Sequence, residues 1–329
     1  MVVRMSAAGA SGSGPEHDVE FARWTCAFVN NMPDAAFDVT ERQYLDLLAT
    51  ASGADVIEVR RYAMRGVPRG EQVAKKIKDE YSSMDSIGSE SPDLLIVTGS
   101  NPVEVRIEDE PYWSEMVGLL LWARDNVQSM LLSCLAAHAA LTIFDGVERS
   151  ALDTKLTGVF GQEVDHQHEL TSGLGDRIVL PHSRKNGASV EALRAAGYRV
   201  LASSIDVGWS LATRTLGSAT VVLVQGHPEY DPSSLLREYR RDAGRYVRHE
   251  RNELPVLPVW CVAQVDWDGL EALHLEIIAG RSHISVLEDY PFDVVGERAP
   301  WPWRPAAERL YSNWLASVSP RRRQIQPGD

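Results

Sequence analysis

Three residues of this chain have the types and surroundings for nucleophilic chemistry: Cys134, His227 and Glu229. Cys134 follows the apolar run Met130-Leu-Leu132, which reads as a buried strand in a sheet covered on both faces. It precedes residues 135–141, whose alanines read as helix. A cysteine on such a sharp strand-to-helix turn is held above the sheet edge with its sulfur exposed. It also lies at a helix N-terminus, where the dipole and free N–H groups favour a thiolate and can hold an oxyanion. Ala136 and Ala137 are small enough for the turn to close tightly. His227 stands in Gln225-Gly-His-Pro-Glu229, directly after the strand-like residues 219–224. A carboxylate two residues past a histidine suits a base and its orienting partner. Glu229 would fix the imidazole tautomer and stabilise the imidazolium, while His227 faces the thiol. A core cysteine and a His-x-Glu in a solvated loop are each ordinary. Their occurrence together in one α/β pattern points to a catalytic set.

The elements that must position these side chains alternate. Residues 21–30, with Trp24, Cys26, Phe28 and Val29, read as a first strand, stopped by Asn30-Asn-Met-Pro33. Thr40 is the expected N-cap of a helix over 41–50. Residues 56–60 read as a second strand and 66–92 as a charged loop without a clear period. Residues 93–97 form a buried strand ending in Thr98-Gly-Ser100, a glycine turn where backbone N–H groups can approach a ligand. Pro111 marks the first position of a helix reaching 122. Beyond Cys134, residues 155–160 read as a short strand or loop, and 178–180 lead into Pro181-His-Ser-Arg184. Ser189 caps a short helix to 196; residues 198–203, 208–213 and 219–224 read as antiparallel neighbours. Pro232 opens a helix to about 248, and residues 252–303, rich in Pro and Trp, define no clear element. Trp301-Pro-Trp303 is expected to pack under a final helix over 304–318, whose Leu310, Trp314, Leu315 and Val318 share one stripe.

The βα alternation up to Cys134 implies an α/β fold with a mostly parallel sheet and helices on both faces. The expected division is a flexible tail over 1–18, a catalytic domain over 19–249, a C-terminal extension over 250–318 packed on the same domain, and a tail over 319–329.

Composition narrows the function classes. Of 329 residues, 33 are Lys or Arg and 46 are Asp or Glu, so a formal charge of −13 argues against a nucleic-acid partner. Cys26, Cys134 and Cys261 make no even disulfide framework, which suits a reducing cytoplasm. Residues 1–14 lack the apolar core of a secretion signal, and 7–14 read as flexible. No run approaches the roughly 18 apolar residues of a membrane span. Asp165-His-Gln-His168 has no third ligand at a suitable spacing, so a solvated loop and no metal are expected. A lone Thr98-Gly-Ser100 is weak as a phosphate turn, and Arg321-Arg-Arg323 reads as a solvated tail.

The cysteine elbow with Gly226-His-Pro-Glu229 resembles the class I glutamine-amidotransferase-like, flavodoxin-like fold. Further motifs, in this order, are similar to those of the homoserine O-acyltransferases, the succinyl-using enzymes and their acetyl-using relatives. They are Asn30-x-Met-Pro33, Ile96-Val-Thr-Gly99, Tyr112-Trp113, Cys134-x-Ala-x-x-Ala139, Lys155-Leu-x-Gly-Val159, Pro181-His-Ser-Arg184, Gly226-His-Pro-Glu-Tyr-Asp231, Arg241-Asp242 and Ser312-Asn-Trp-Leu315. The resemblance runs from about residue 20 to 318 and is poorest over 250–303. It implies Cys134 as the nucleophile that takes an acyl group from an acyl-CoA co-substrate, succinyl-CoA or acetyl-CoA, with no bound cofactor. His227 would be the general base and Glu229 its partner. Arg241 would hold the amino acid's carboxylate. Ser183 and Arg184 would belong to a second substrate-binding loop, and Lys155 would line the same pocket. Backbone N–H groups of Leu135 and, from the 31–36 loop, Ala35 would hold the oxyanion. The implied acceptor is homoserine in methionine-type biosynthesis, the partners are small molecules, and the expected assembly is a homodimer.

Departures from the family pattern leave two choices open. Asp34-Ala-Ala36 stands where many members carry a lysine pair, Leu135 where many have Trp, and His138 where many have Gln. His138, one helical turn past Cys134, is expected behind the nucleophile and not as the base. The position that goes with donor choice falls on Val103 or, with a one-residue slip, on Glu104. The donor is therefore open, and so is the acceptor, since another hydroxy amino acid such as serine would fit. A glutaminase using the same three residues and a catalytically silent binding protein are the alternatives from other classes.

Overall fold

Four apolar runs lie side by side and parallel at the centre of the computed structural model, which describes residues 3–5, 22–280 and 284–319. In chain order the elements are β1 (Val3–Met5), β2 (Trp24–Val29), α1 (Asp34–Ala51), β3 (Ile57–Tyr62), α2 (Glu71–Glu80), α3 (Ile87–Glu90), β4 (Leu94–Val97), α4 (Trp113–Asn126), β5 (Ser129–Ser133) and α5 (Leu135–Asp145). They continue with β6 (Ser150–Val164), β7 (Arg177–Gly187), α6 (Val190–Ala195), β8 (Arg199–Ser204), β9 (Gly208–Leu216), β10 (Ala219–Val224) and α7 (Ser234–Val247). The chain ends in α8 (Gln264–Ile278), α9 (Ile284–Asp289), α10 (Phe292–Glu297) and α11 (Arg304–Ala316).

The strands form one sheet in the order β1-β3-β2-β4-β5-β10-β9-β8-β6-β7, parallel from β1 to β10 and antiparallel from β10 to β7. Side chains alternate across it, as the pleat requires. Phe28, Ile96, Leu131 and Val222 face one core, which α1, α7, α8 and α11 cover. Val29, Val97, Leu132 and Leu223 face the other, covered by α4 and α5. Helices on both faces explain why these strands are near-continuously apolar.

Register gathers the strand ends. Val29 pairs with Val97, Val97 with Leu132, and Ser133 with Val224. Asn30, Thr98, Cys134 and Gln225 therefore leave the sheet along one carboxyl edge, the usual place for a site in an open parallel sheet.

Several expectations need correction. Residues 66–92 are not a loop but carry α2, a short 3-10 turn and α3. The apolar face of α2 is only Val73 and Ile77, half-buried against Phe37 and Tyr81, a stripe too narrow to stand out among the charges; ion pairs such as Lys75–Asp79 lie along the rest. Thr40 caps nothing: α1 begins at Asp34, directly after Pro33, and Thr40 is buried inside it. Ala35 consequently belongs to the first turn of α1, not to a loop. The helix after Pro111 starts at Trp113. The short strand expected at 155–160 is part of the long β6–β7 hairpin. Its register shifts between Ala151 and Leu156, which breaks the alternation that sequence patterning relies on. Within the expected N-terminal tail, Val3–Met5 add an edge strand to β3; the rest of that tail, residues 281–283 and residues 320–329, including Arg321-Arg-Arg323, lie outside the described residues.

The C-terminal residues share the core of the central sheet. Leu270, Leu273, Phe292, Trp303 and Trp314 join the cluster that contains Phe28 and Leu131. The Trp24 indole donates to the Val318 carbonyl at 3.1 Å, and the Trp314 indole donates to Ser129 Oγ at 2.8 Å. Earlier in the chain, Val259 bridges Gly158 and exchanges backbone hydrogen bonds with Thr157 and Val159.

Candidate active site

Cys134 occupies the turn between β5 and α5 with φ +50° and ψ −106°, a conformation that costs a non-glycine residue of order 1–3 kcal/mol. Its backbone N–H donates to the Val224 carbonyl at 2.7 Å, which fastens the elbow to the end of β10. Three residues beyond that carbonyl comes His227, buried, with its N–H on the Pro181 carbonyl at 2.8 Å. His227 Nδ1 lies 2.8 Å from Glu229 Oε1, and the imidazole meets the Cys134 sulfur as a hydrogen-bond partner. Burial pulls the pKa of this imidazole down, but the charges and hydrogen bonds of Glu229 and Cys134 outweigh it and hold the pKa well above the ordinary value. Cys134, His227 and Glu229 thus form one chain of contacts. Leu135, as the first residue of α5, has no partner within that helix for its N–H.

Glycines make the crowding possible. A Cβ on Gly99 would stand 3.3 Å from Cys134 Cβ. One on Gly226 would stand 3.2 Å from both His182 Nε2 and the Pro181 carbonyl oxygen. Thr98 Oγ1 accepts from the Asn31 N–H at 2.8 Å, so the turn before α1 is tied to the same strand end. Ala35 itself is exposed in the first turn of α1.

His138, on α5, is buried against Trp209 of β9 and against Gln225, which follows β10. Gln225 Nε2 lies 3.4 Å from its Nε2, and its ring meets Trp209 edge-on. Burial first, then the charges of Arg184 and Arg149, push its pKa down to about 3, so it is neutral at ordinary pH. His182, between Gln162 and Ser210, is held neutral in the same way.

Lys155, Ser183 and Arg241 meet in a second cluster, organised by two acids that sequence reasoning missed. Lys155 Nζ is 2.9 Å from Asp242 and 3.5 Å from Glu238. Ser183 donates to Glu238 Oε2, and Arg241 holds Asp242 Oδ1 through Nε at 3.0 Å and Nη2 at 2.9 Å. Arg251, from the segment after α7, lies 3.4 Å from Asp242. Burial would raise the carboxyl pKa of Glu238, yet Lys155, Ser183, Tyr230 and Arg241 hold it below the usual range. The available signal was spacing: Glu238, Arg241 and Asp242 stand three and four apart on α7 and so share one face.

Arg184 is buried, with Nη1 on the Asn186 carbonyl at 2.7 Å and Nη2 on the Val207 carbonyl at 2.5 Å. Burial lowers its pKa, against the opposing influence of Cys134. It also lines a cavity of about 520 Å³ together with Leu152, Leu156, Ala188 and Val207. That cavity reaches none of the three residues of the Cys134 chain. Val103 and Glu104 are exposed; both N–H groups donate to Glu110 Oε1 at 2.9 Å, and the Cys134 cluster does not include them. At the candidate metal loop, Asp165 pairs with Arg199 and His168 Nδ1 accepts from the Leu170 N–H. Among the described residues no group of three suitable side chains could hold a metal, and no helix is long and apolar enough to cross a membrane.

An α/β sheet with a strained cysteine at a parallel-strand end and a His–Glu pair just beyond the end of the neighbouring strand defines the class I glutamine-amidotransferase-like fold. A solved glutamine amidotransferase from Methylobacillus flagellatus superposes with a TM-score of 0.50 over 94% of this chain and 100% of its own, at 14% identity. Sequence comparison is more specific. The homoserine O-succinyltransferase family model matches residues 16–322. A homoserine O-succinyltransferase of Rhodopseudomonas palustris is 37% identical over 88% of this chain and 87% of its own. One of Methylorubrum extorquens is 37% identical over 91% and 88%. The chain belongs to the homoserine O-succinyltransferase family and is an acyltransferase.

Proposed function

We propose that the protein moves an acyl group from an acyl-CoA, through a thioester on Cys134, to the side-chain hydroxyl of L-homoserine, a step of methionine-type biosynthesis. The supporting observation is the contact chain Glu229–His227–Cys134 beside a charged cluster suited to an amino acid.

The Cys134 thiolate adds to the thioester carbonyl, and the carbonyl electron pair moves onto oxygen. The N–H of Leu135 and a first-turn N–H of α1 at Ala35 donate to that oxyanion. Collapse expels the CoA thiolate, which takes a proton from the His227 imidazolium. Acylation removes the Cys134 charge, one of the influences that hold the His227 pKa up, so the imidazole becomes ready to accept a proton. It then deprotonates the acceptor hydroxyl, which attacks the acyl-cysteine and releases the thiolate. In the acceptor subsite Arg241 holds the carboxylate, Glu238 the ammonium, and Lys155 and Ser183 shape the wall. Arg184 supplies positive charge that acts on the nucleophile, and Val103 and Glu104 are the residues we assign to donor choice. The substrates suit a cytoplasmic enzyme, and a homodimer is the assembly that the family resemblance implies.

The test is thiol release from succinyl-CoA and acetyl-CoA, each offered homoserine or serine. Release that requires an acceptor and vanishes in Cys134→Ala supports the proposal. Glutamate formed from glutamine without any CoA ester, with no thiol release from any pair, overturns it in favour of amide hydrolysis.

A further inference from the structure

Tyr230 touches three separate parts of the molecule. Its ring stacks on the His227 imidazole, with centroids 4.3 Å apart and planes 18° from parallel. Its hydroxyl donates to Glu238 Oε1 at 2.5 Å. Its carbonyl accepts two indole N–H groups, from Trp301 at 3.0 Å and Trp303 at 2.8 Å. Trp303 is 1% exposed and Trp301 38%.

Each contact constrains something the Glu229 hydrogen bond leaves free. Glu229 fixes where His227 Nδ1 lies, but the ring can still rotate about that bond. A parallel aromatic face removes the rotation, and it favours the imidazolium as a cation over a π-system. Tyr230 can do so only if its own backbone is held. A carbonyl gripped by two indoles, in a turn whose Tyr230 N–H already donates to the His227 carbonyl at 3.2 Å, is held. The Tyr230 hydroxyl meanwhile engages one oxygen of Glu238, leaving the other for Ser183 and Lys155.

We infer that Tyr230, clamped by Trp301 and Trp303, is a positioning residue that ties the plane of the His227 imidazole to the Glu238 carboxylate. The C-terminal segment thereby sets the alignment between the base and the acceptor. The acceptor half of this inference rests on the proposed acyl transfer; the alignment of His227 with Cys134 does not.

Two variants separate the halves. Tyr230→Phe keeps the stacked ring and frees Glu238. It is expected to raise the acceptor KM about tenfold, with the pH profile of Cys134 alkylation by iodoacetamide unchanged. Trp301→Phe combined with Trp303→Phe removes both donors. It is expected to lower kcat about tenfold and to shift the alkylation profile, because a small misplacement of a catalytic group is costly in rate. Near-UV circular dichroism reports whether the double variant folds. Should it not fold, Trp301→Phe alone, at the partly exposed position, is expected to show the same shift to a smaller degree. Folded variants that keep the wild-type kcat, KM and alkylation profile overturn the inference. Alkylation needs no substrate, so it decides the alignment even when wild-type protein transfers no acyl group, a result that would instead sink the proposed function.

Discussion

Gly99 and Cys134 face each other across two strand ends with no room for a side chain between them: a Cβ on Gly99 would lie 3.3 Å from Cys134 Cβ and 3.6 Å from the Leu135 nitrogen. The nucleophile therefore has a wall at its back and keeps its elbow only while residue 99 lacks a side chain. Gly99→Ala is expected to push the elbow outward by a few tenths of an ångström. Acyl-enzyme formation should slow by about 10- to 100-fold while the unfolding midpoint barely moves. Single-turnover kinetics with an acyl-CoA, beside thermal unfolding, checks both halves.

Glu229→Gln keeps shape and removes charge. Glu229 is among the groups that hold the His227 pKa up, so its loss lowers that pKa and moves the acidic limb of the rate profile to lower pH. The amide also orients the imidazole less well. The expected cost is about 10³- to 10⁴-fold in kcat, by analogy with neutralising the acid of a serine-protease triad. A pH–rate profile of the variant measures both effects.

His138 and His182 make the fold acid-sensitive. A histidine ordinarily titrates near 6.5, whereas His138 in the folded chain titrates at about 3 and His182 well below its ordinary value. The unfolded chain thus binds protons that the folded chain refuses. Stability is fully present above pH 6.5 and drains away as pH falls toward 3. His138→Gln should flatten part of that decline in unfolding midpoint, with little change at pH 8. An equally steep decline in the variant would contradict this assignment.

Gly158 has φ +145°, and a Cβ there would sit 2.5 Å from Val259 Cγ2 and 2.6 Å from the Val259 oxygen. Gly158→Ala should detach the 255–260 segment from β6 and destabilise the protein by about 2–4 kcal/mol, as strain and overpacking together. Urea unfolding is the measurement, with a lowered midpoint and an unchanged slope expected.

The sequence was most readable where one strand's pattern delivers one reactive residue. Met130-Leu-Leu132 before Cys134 and residues 219–224 before His227 are buried on both faces, so their hydrophobicity is continuous and their ends are sharp. It was least readable where burial is partial or assembled from afar. Helix α2 half-buries only Val73 and Ile77, and the bulge in β6 hides half a hairpin. A three-residue edge strand such as Val3–Met5 is too short to show a period.

Within the candidate site the same division holds. Cys134, His227 and Glu229 stand out as residue types, whereas Glu238 and Asp242 resemble the solvent face of an amphipathic helix until Lys155 and Ser183 are brought against them. Trp301 and Trp303 come from a stretch with no clear pattern, because their role is a contact with a carbonyl 71 and 73 positions earlier.

The central claim, a covalent acyl group on Cys134, is tested most directly by intact-protein mass spectrometry after mixing with succinyl-CoA or acetyl-CoA. The account predicts the added mass of one acyl group, mapped to Cys134, that disappears when homoserine is added and never forms in Cys134→Ala. Acyl-homoserine produced with no adduct on the protein, or an adduct that persists in Cys134→Ala, would contradict it.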